Sequence, residues 1–283
     1  MKKVLIGITS RNRSSLLPNA IRSALQQSYP NKEVMVFDDA STDGTKLLSA
    51  FFPSVNWHLS GEPVGYLVAR NWMMNTSDAE YFASLDDDAW FLEEDSLDLA
   101  IEFLDKHEEV AAIAFQVLSP DQSQPVPASV EEVNNFIGCG HLLRLKAIRE
   151  VGFYAMNPAS YGGEEKDLCI RLIDAGYKVV RMNGVRVWHE KSPISRNVAL
   201  QIRSNVCNDL MFAYRRTPSV YLLPALLMKI VRHSKFAMSS SYAGSFKATL
   251  MGVRDFFSFI MKGGERRRPV SRRTFKTYLS LNK

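Results

Sequence analysis

The chain opens on an alternation that few folds accommodate. "KVLIGIT" (3–9) is a continuous apolar, β-branched run, and "EVMVFDDAST" (33–42), "VNWHLS" (55–60) and "YFASLDDD" (81–88) repeat the pattern. Between them lie "LLPNAIRSALQQS" (16–28), a short helical stretch "TKLLSAFF" (45–52) and "GYLVARNWMMNTS" (65–77), which carry apolar residues near helical spacing. Strands that are apolar throughout are buried on both faces, and this alternation predicts a parallel α/β sheet. In such sheets ligands bind outside the carboxyl ends of the strands. Three of those ends carry polar clusters, Thr9-Ser10-Arg11, Asp38-Asp39 and Asp86-Asp87-Asp88, so the three are expected to converge on one crevice.

Beyond residue 100 the pattern is less regular. "VAAIAFQVL" (110–118) predicts a strand and "SPDQSQPVPAS" (119–129) a loop. "FIGCGHLLRLKAIREVGFY" (136–154) predicts a Gly-containing bend, a strand and a short helix. "YGGEEKDLCIRLIDAGYKVV" (161–180) predicts a loop running into a helix that stops at Gly176, the usual place for a C-cap glycine. "KVVRMNGVRVWHE" (178–190) holds two short strand-like runs. From about residue 200 the chain is helical in pattern and strongly basic. Residues 1–199 hold 19 Lys+Arg against 27 Asp+Glu, a net of −8, and residues 200–283 hold 16 against 3, a net of +13. A charge break that large suggests two parts with different partners, here residues 1–200 and a basic helical extension over 201–283.

Several classes are set aside. No apolar run reaches the ~18–20 residues of a membrane span. The start "MKKVLIGITSRN" has a basic tip but too short an apolar core for a signal peptide, which makes a cytoplasmic protein the expectation. Cys139, Cys169 and Cys207 are odd in number and scattered, which argues against a disulfide framework and a zinc site; Cys169, between Leu168 and Ile170, reads as core. There is no GxGxxG after the first strand and no GxxxxGK[ST] anywhere, so a standard dinucleotide site or P-loop is not supported.

Four constellations carry chemistry. Asp86-x-Asp88 at a strand end offers a hard oxygen site for Mg2+ or Mn2+; solvated loop acids are the bland alternative. In "FDDASTDGT" (37–45), Asp38 and Asp39 follow a buried strand and can accept from a base N–H or a ribose hydroxyl, while Asp43-Gly44 is turn chemistry. In "GGEEKDLCIRL" (162–172), Glu164 and Glu165 start a helix, where acids are favoured on electrostatic grounds alone; the functional reading is a general base. His189, in "VRVWHEKS", is a candidate third metal ligand at the end of a strand-like run.

The ordered set "TSRNR", "FDDASTDGT", "GYLVARN", "SLDDDAW", "GGEEKDLCIRLIDAGYKV" and "VWH" resembles the family 2 glycosyltransferases over roughly residues 3–195. The resemblance implies the GT-A fold, a Rossmann-like fold for nucleotide-diphospho-sugar transferases, here with a helical C-terminal extension. It implies that Thr9, Arg11 and Asp39 contact the nucleoside and that Arg70 reaches toward the nucleotide. Asp86 and Asp88 form the DxD pair, with Asp87 between them on the nucleotide-sugar side. By the same resemblance Asp86, Asp88 and His189 are expected to hold Mn2+ or Mg2+, and Glu165 to be the catalytic base, with Glu164 as understudy. Glu164-Glu165 departs from the family's commoner Glu-Asp, which leaves open which acid serves. Gly138, Gly140 and His141 are expected to line the donor-sugar or acceptor side. The implied reaction is inverting transfer of a sugar, of hexosyltransferase type, from a UDP-, dTDP- or GDP-linked donor to a saccharide or lipid-linked acceptor in surface polysaccharide or glycolipid assembly.

The basic tail mixes Leu, Ile, Met and Phe with Arg and Lys, the composition of helices on an anionic membrane surface. Attachment to the inner face of the cell membrane is therefore expected, against the alternative of helices packed on the catalytic domain with a solvated basic face. Nucleic-acid binding is not expected, because the aromatics group as "DFFSF" and read as a buried face. Two other functions stay open. A nucleotidyltransferase would be expected to show glycines in the loop after the first strand, which "TSRNRSSL" lacks. A catalytically silent sugar-nucleotide or membrane-binding module is opposed by the presence of every acid that catalysis needs.

Overall fold

β1 (Val4–Ser10) is buried along its whole length, as its uninterrupted apolar sequence requires. In the computed structural model, which describes residues 1–159, 162–192, 197–263 and 266–281, it lies between β2 (Lys32–Asp38) and β4 (Tyr81–Asp86), parallel to both. β3 (Asn56–Leu59) adds in parallel beside β2. The connections are α1 (Leu17–Leu25), a 3-10 helix over Thr45–Ala50 and α2 (Tyr66–Thr76). The expected elements of this half are all present.

The sheet is mixed rather than parallel throughout. It has nine strands in the order β3-β2-β1-β4-β8-β6-β9-β5, with β7 also pairing β9. Here β5 is Ala89–Phe91, β6 Val110–Leu118, β7 Val130–Glu132, β8 Gly140–Arg144 and β9 Lys178–His189. β8 runs antiparallel to both β4 and β6, and β5 and β7 run antiparallel to β9. The alternation that predicted parallel strands ends at residue 88, and the later strands are joined by turns and short helices that allow reversal. β9 is one strand of 12 residues, but its register against β6 breaks between Met182 and Arg186. That break separates the two runs visible in the sequence.

α3 (Ser96–Lys106) and α4 (Leu145–Val151) complete this part. α3 is absent from the expectations above, although it buries Leu97, Ala100, Ile101 and Leu104, the i, i+3, i+4, i+7 spacing of an amphipathic helix.

The chain divides into two compact units, and no single cut near residue 200 separates them. One holds residues 1–154, 175–192 and 281–283; the other holds 155–174 and 193–280. The second contains α5 (Glu164–Asp174), α6 (Val198–Arg216), α7 (Ser219–Ser239), α8 (Ser245–Met261) and α9 (Arg272–Ser280). Residues 155–174 group with the helices because α5 contributes Ile170 to a core with Phe212, Val270, Phe275 and Tyr278. α5 ends ahead of Gly176, whose φ of +89° is the left-handed conformation expected of a C-cap glycine. A second core, around Val206, Leu210, Met211 and Phe256, joins α6 to α8. They approach closely at Gly252, where a Cβ would lie 2.5 Å from the Arg203 carbonyl oxygen. Among the described residues no helix is long and apolar enough to cross a membrane.

Candidate active site

Parallel pairing puts the carboxyl ends of β2, β1 and β4 side by side, with Ser10 opposite Asp38 and Thr9 opposite Asp86. The three polar clusters therefore meet at one sheet edge. Three consecutive carboxylates repel one another, and the structure resolves this by giving each its own partners. Asp86 accepts a 2.5 Å hydrogen bond from Arg70 Nη2. Asp87 accepts from the Arg11 backbone N–H at 3.4 Å. Asp88 accepts from the Ser192 N–H at 3.1 Å, lies 3.6 Å from Arg13 Nη1 and 3.3 Å from His189 Nε2. Burial pushes the Asp87 carboxyl up to about 7; the Arg13 charge opposes this, and the Asp86 and Asp88 charges add to it.

The predicted nucleotide contacts are distributed as follows. Thr9 is buried at the end of β1, and the Arg11 side chain is exposed beside it. Asp39 is buried, and its carboxylate accepts from the N–H groups of Val64 at 2.6 Å and Gly65 at 3.1 Å. It thereby ties the loop ahead of α2 to the end of β2. Arg70 does not reach outward; it is buried, its guanidinium 5.1 Å from the Tyr66 ring centroid and hydrogen-bonded to Asp86. Asp43 is turn chemistry, as expected, accepting from the Ser14 and Thr45 N–H groups.

Asp86, Cys139 and His189 bring one ligand atom each within 4.8 Å of one another. The sequence pointed to Asp86, Asp88 and His189. Asp88 touches His189, but its second oxygen is taken by Ser192 and Arg13, and Cys139 stands in the group instead. His189 Nε2 is buried and makes no hydrogen bond among the described residues, which suits a metal-ligating nitrogen. Burial pushes the Cys139 thiol well above its ordinary range, and the Asp86 charge adds to this, so with no ion beside it Cys139 is a neutral thiol. A carboxylate and an imidazole without a soft thiolate fit Mn2+ or Mg2+. A divalent ion of this kind is the cofactor that fits the site, and Asp86 and His189, with Asp88 Oδ1 3.3 Å from His189 Nε2, are the residues that would hold it.

His141 is a correction. It was expected to line the sugar side, but it is fully buried on β8, stacked on Phe136 at 4.2 Å and joined to the Tyr154 hydroxyl at 2.7 Å. Burial, helped by the Arg70 charge, lowers its pKa to about 3, so it is a neutral core residue. Arg13 and Cys139 are the residues the sequence reading passed over. Arg13 lies inside the quoted "TSRNR", and Cys139 between the two glycines already singled out.

In the second unit, Glu164 and Glu165 form the first turn of α5, Glu164 buried and Glu165 partly exposed.

The model of the family described as "Glycosyl transferase family 2" matches residues 5–160, more than half of the chain. The chain belongs to glycosyl transferase family 2. The matched span takes in the strands from β1 to β8, the strand-end acids and the turn after β2, and β9 with His189 lies beyond it. TuaG of Bacillus subtilis (strain 168), named as a glycosyltransferase of teichuronic acid biosynthesis, is 32% identical over 100 residues, which are 34% of this chain and 39% of TuaG. EpsE of the same organism, named as a glycosyltransferase, is 27% identical over 191 residues, 62% of this chain and 67% of EpsE. Among solved structures, TarS 1-349 of S. aureus superposes with a TM-score of 0.65 at 12% identity, covering 90% of this chain and 80% of that one. The mannosyltransferase PcManGT of Pyrobaculum calidifontis, solved in complex with GDP-Man and Mn2+, superposes at 0.61 and 17% identity, covering 93% and 88%. These likenesses show the GT-A-like fold with its helical extension.

Proposed function

We propose that this chain is an inverting, metal-dependent glycosyltransferase that moves a sugar from a UDP-, dTDP- or GDP-linked donor to a hydroxyl of a saccharide or lipid-linked acceptor, in surface polysaccharide or glycolipid assembly. The observation that carries the reading is the Asp86–His189 ligand pair at a strand edge lined by three carboxylates, in a chain of this family. The names of TuaG and PcManGT support a nucleotide-sugar donor, a divalent ion and a polysaccharide product.

Thr9, Arg11 and Asp39 are assigned to the nucleoside, with Asp86 and Asp87 on the ribose and diphosphate side. Arg70 acts through Asp86, which it orients. Asp88 Oδ1 faces the same His189 nitrogen at 3.3 Å and would join Asp86 and His189 in holding the ion. When bound, the divalent ion supplies charge stabilisation for the leaving diphosphate. Glu165 takes the proton of the acceptor hydroxyl as that oxygen attacks the anomeric carbon from the face opposite the diphosphate. Glu164, buried at the same helix start, supports it.

The protein is read as cytoplasmic and peripheral on the inner face of the cell membrane, without nucleic-acid partners. Support comes from the helical unit. α7 exposes Leu223, Leu227, Val231 and Met238, and α8 exposes Phe246, Leu250, Phe257 and Met261. Lys235, Lys247, Arg254 and Lys262 stand exposed among them, the pattern of helices that lie on an anionic bilayer. The protein should pellet with anionic vesicles at low salt and release as salt rises.

The test of the transferase reading is a melting-temperature panel of nucleotide sugars with and without Mn2+, followed by transfer assays with the best donor. One donor class should raise the melting temperature only when Mn2+ is present. Stabilisation by nucleoside triphosphates with release of pyrophosphate, and none by nucleotide sugars, would replace the reading with nucleotidyl transfer.

A further inference from the structure

The helical unit gathers an excess of positive charge around one acid. Asp209, on α6, is almost fully buried, and four side chains converge on its carboxylate. Lys229 Nζ donates at 2.7 Å, His233 Nε2 lies at 3.0 Å, Arg232 Nη2 donates, and Lys166 Nζ lies at 3.4 Å from α5. Burial alone would raise the Asp209 pKa, but the His233 hydrogen bond and the Lys229 and Lys166 charges hold it far below its ordinary value. Three cations thus meet one anion, a local net of +2 before His233 is counted.

Neutralising Asp209 would take one cation. Two more held beside it repel each other and Lys229, which destabilises a purely structural cluster. The donors also outnumber the acceptors: two ammonium groups and a guanidinium offer about eleven N–H, against roughly four lone-pair sites on a carboxylate. The unused donors are reachable, because the side chains of Lys166 and Arg232 are 39% and 53% exposed whereas that of Asp209 is 5% exposed.

We propose that Lys166, Lys229, Arg232 and His233 form a binding site for a phosphoryl group carrying two negative charges, with Asp209 as the fixed anion that holds the cations together. A phosphate monoester carries about −1.5 to −2 at neutral pH and three acceptor oxygens, which match the surplus charge and the surplus donors. The guanidinium fork and the lysine point charges are the two side-chain types that recognise phosphate. The ligand is a phosphorylated molecule, either soluble or a lipid with a terminal phosphate. The site is defined by binding alone and does not depend on the sugar-transfer reading.

The experiment titrates inorganic phosphate into the full-length protein at constant ionic strength, by calorimetry and melting temperature, without added metal. Saturable binding is expected, with a rise in melting temperature that chloride does not reproduce. Arg232→Gln and Lys166→Gln, both on exposed side chains, should each weaken binding about tenfold, the usual scale for one charge-assisted hydrogen bond. Lys146→Gln, an exposed lysine on α4 and outside the cluster, should change nothing. No saturable binding by the wild type, or equal binding by Arg232→Gln, overturns the site. Phosphatidylcholine vesicles with and without phosphatidic acid identify the source. Capture that requires phosphatidic acid, is displaced by free phosphate and is lost in Arg232→Gln marks a lipid head group. Binding of free phosphate without such capture marks a soluble ester.

Discussion

At the end of β4 the acids exceed the cations. Asp86, Asp87 and Asp88 meet Arg70 and Arg13, and Asp38 and Asp39 stand at the neighbouring strand end. Around Asp209 the balance reverses, with Lys166, Lys229 and Arg232 on one carboxylate. A surplus that the protein does not neutralise itself is a statement about the ligand: the strand edge fits a cation, and the helical cluster fits an anion. Asp167 shows what a closed arrangement looks like. Arg216 forks onto both of its oxygens and Arg171 adds a third bond at 2.8 Å, with all three side chains buried or nearly so. Burial closes the donors there to a visitor, and that cluster is structural.

The sharpest way to break the comparison is to remove the acid surplus. Asp86→Ala should lower transfer by at least about 10³-fold, because the divalent ion that would offset the diphosphate charge loses a ligand. Stabilisation of the protein by Mn2+ should vanish with it. Asp86→Ala also takes the ion-pair partner from buried Arg70, so circular dichroism should confirm the folded state before the loss is read as catalytic. Turnover near the wild-type rate in EDTA would end the metal assignment. Glu165→Gln comes next and keeps shape while losing basicity. It should lower kcat by about 10²–10⁴-fold with donor affinity nearly unchanged. Equal loss of donor binding and rate would mark Glu165 as a helix cap or a donor ligand.

The strand edge was legible because its residues are contiguous with the strands that position them. A buried run such as "YFASLDDD" states both the element and what hangs at its end. The partners of those acids were harder. Arg70 was expected to reach the nucleotide, yet its place on α2 turns it onto Asp86, and nothing in "ARN" reveals that direction. Cys139 and His189 meet only because β9 returns in parallel beside β6, a pairing between distant segments. His141 misled because two flanking glycines suggested an open loop, while the strand register buries it opposite Ser84 and Ala114. The net charge of the C-terminal stretch was visible. Its division into structural pairs, such as Arg216 with Asp167 and Arg203 with Asp255, was not, because α5 joins the helices from outside that stretch.

The closed cluster sharpens the comparison at the next scale of effect. Asp167→Ala leaves two guanidinium groups facing each other in a buried site, and breaking such a set costs about 3–5 kcal/mol. Urea unfolding should show that loss as a lower midpoint. Lys106→Ala, on a well-exposed i,i+4 pair with Glu102, should cost no more than about 0.5 kcal/mol. If Asp167→Ala proved as mild as Lys106→Ala, burial would not be what separates structural from receptive clusters in this chain.

The last effect concerns acid, and the two units differ in it. In the helical unit Asp209 and Asp167 titrate below their ordinary value. Their stabilisation is present above the unfolded pKa of 3.8 and is lost only as pH falls beneath it. The sheet unit holds two buried groups of opposite sign. His141 falls from 6.5 to about 3, so between those values the unfolded chain binds a proton the native state refuses, and stability drops as pH falls. Asp87 rises from 3.8 to about 7, so between those values the native state keeps a proton the unfolded chain has released, and stability drops as pH rises. Each slope is at most about 1.4 kcal/mol per pH unit. From pH 6.5 to 3.8 they cancel, and the metal-free wild type should be nearly flat. Asp87→Asn removes one of the two. In that variant stability should fall with acid from pH 6.5 downward by roughly 1 kcal/mol per unit. Tryptophan fluorescence in urea is the appropriate readout, because Trp57, Trp72, Trp90 and Trp188 all lie in the sheet unit. A variant as flat as the wild type over that window would show that His141 is not held neutral against the solvent. The acid response would then have to be sought in the strand-edge carboxylates alone.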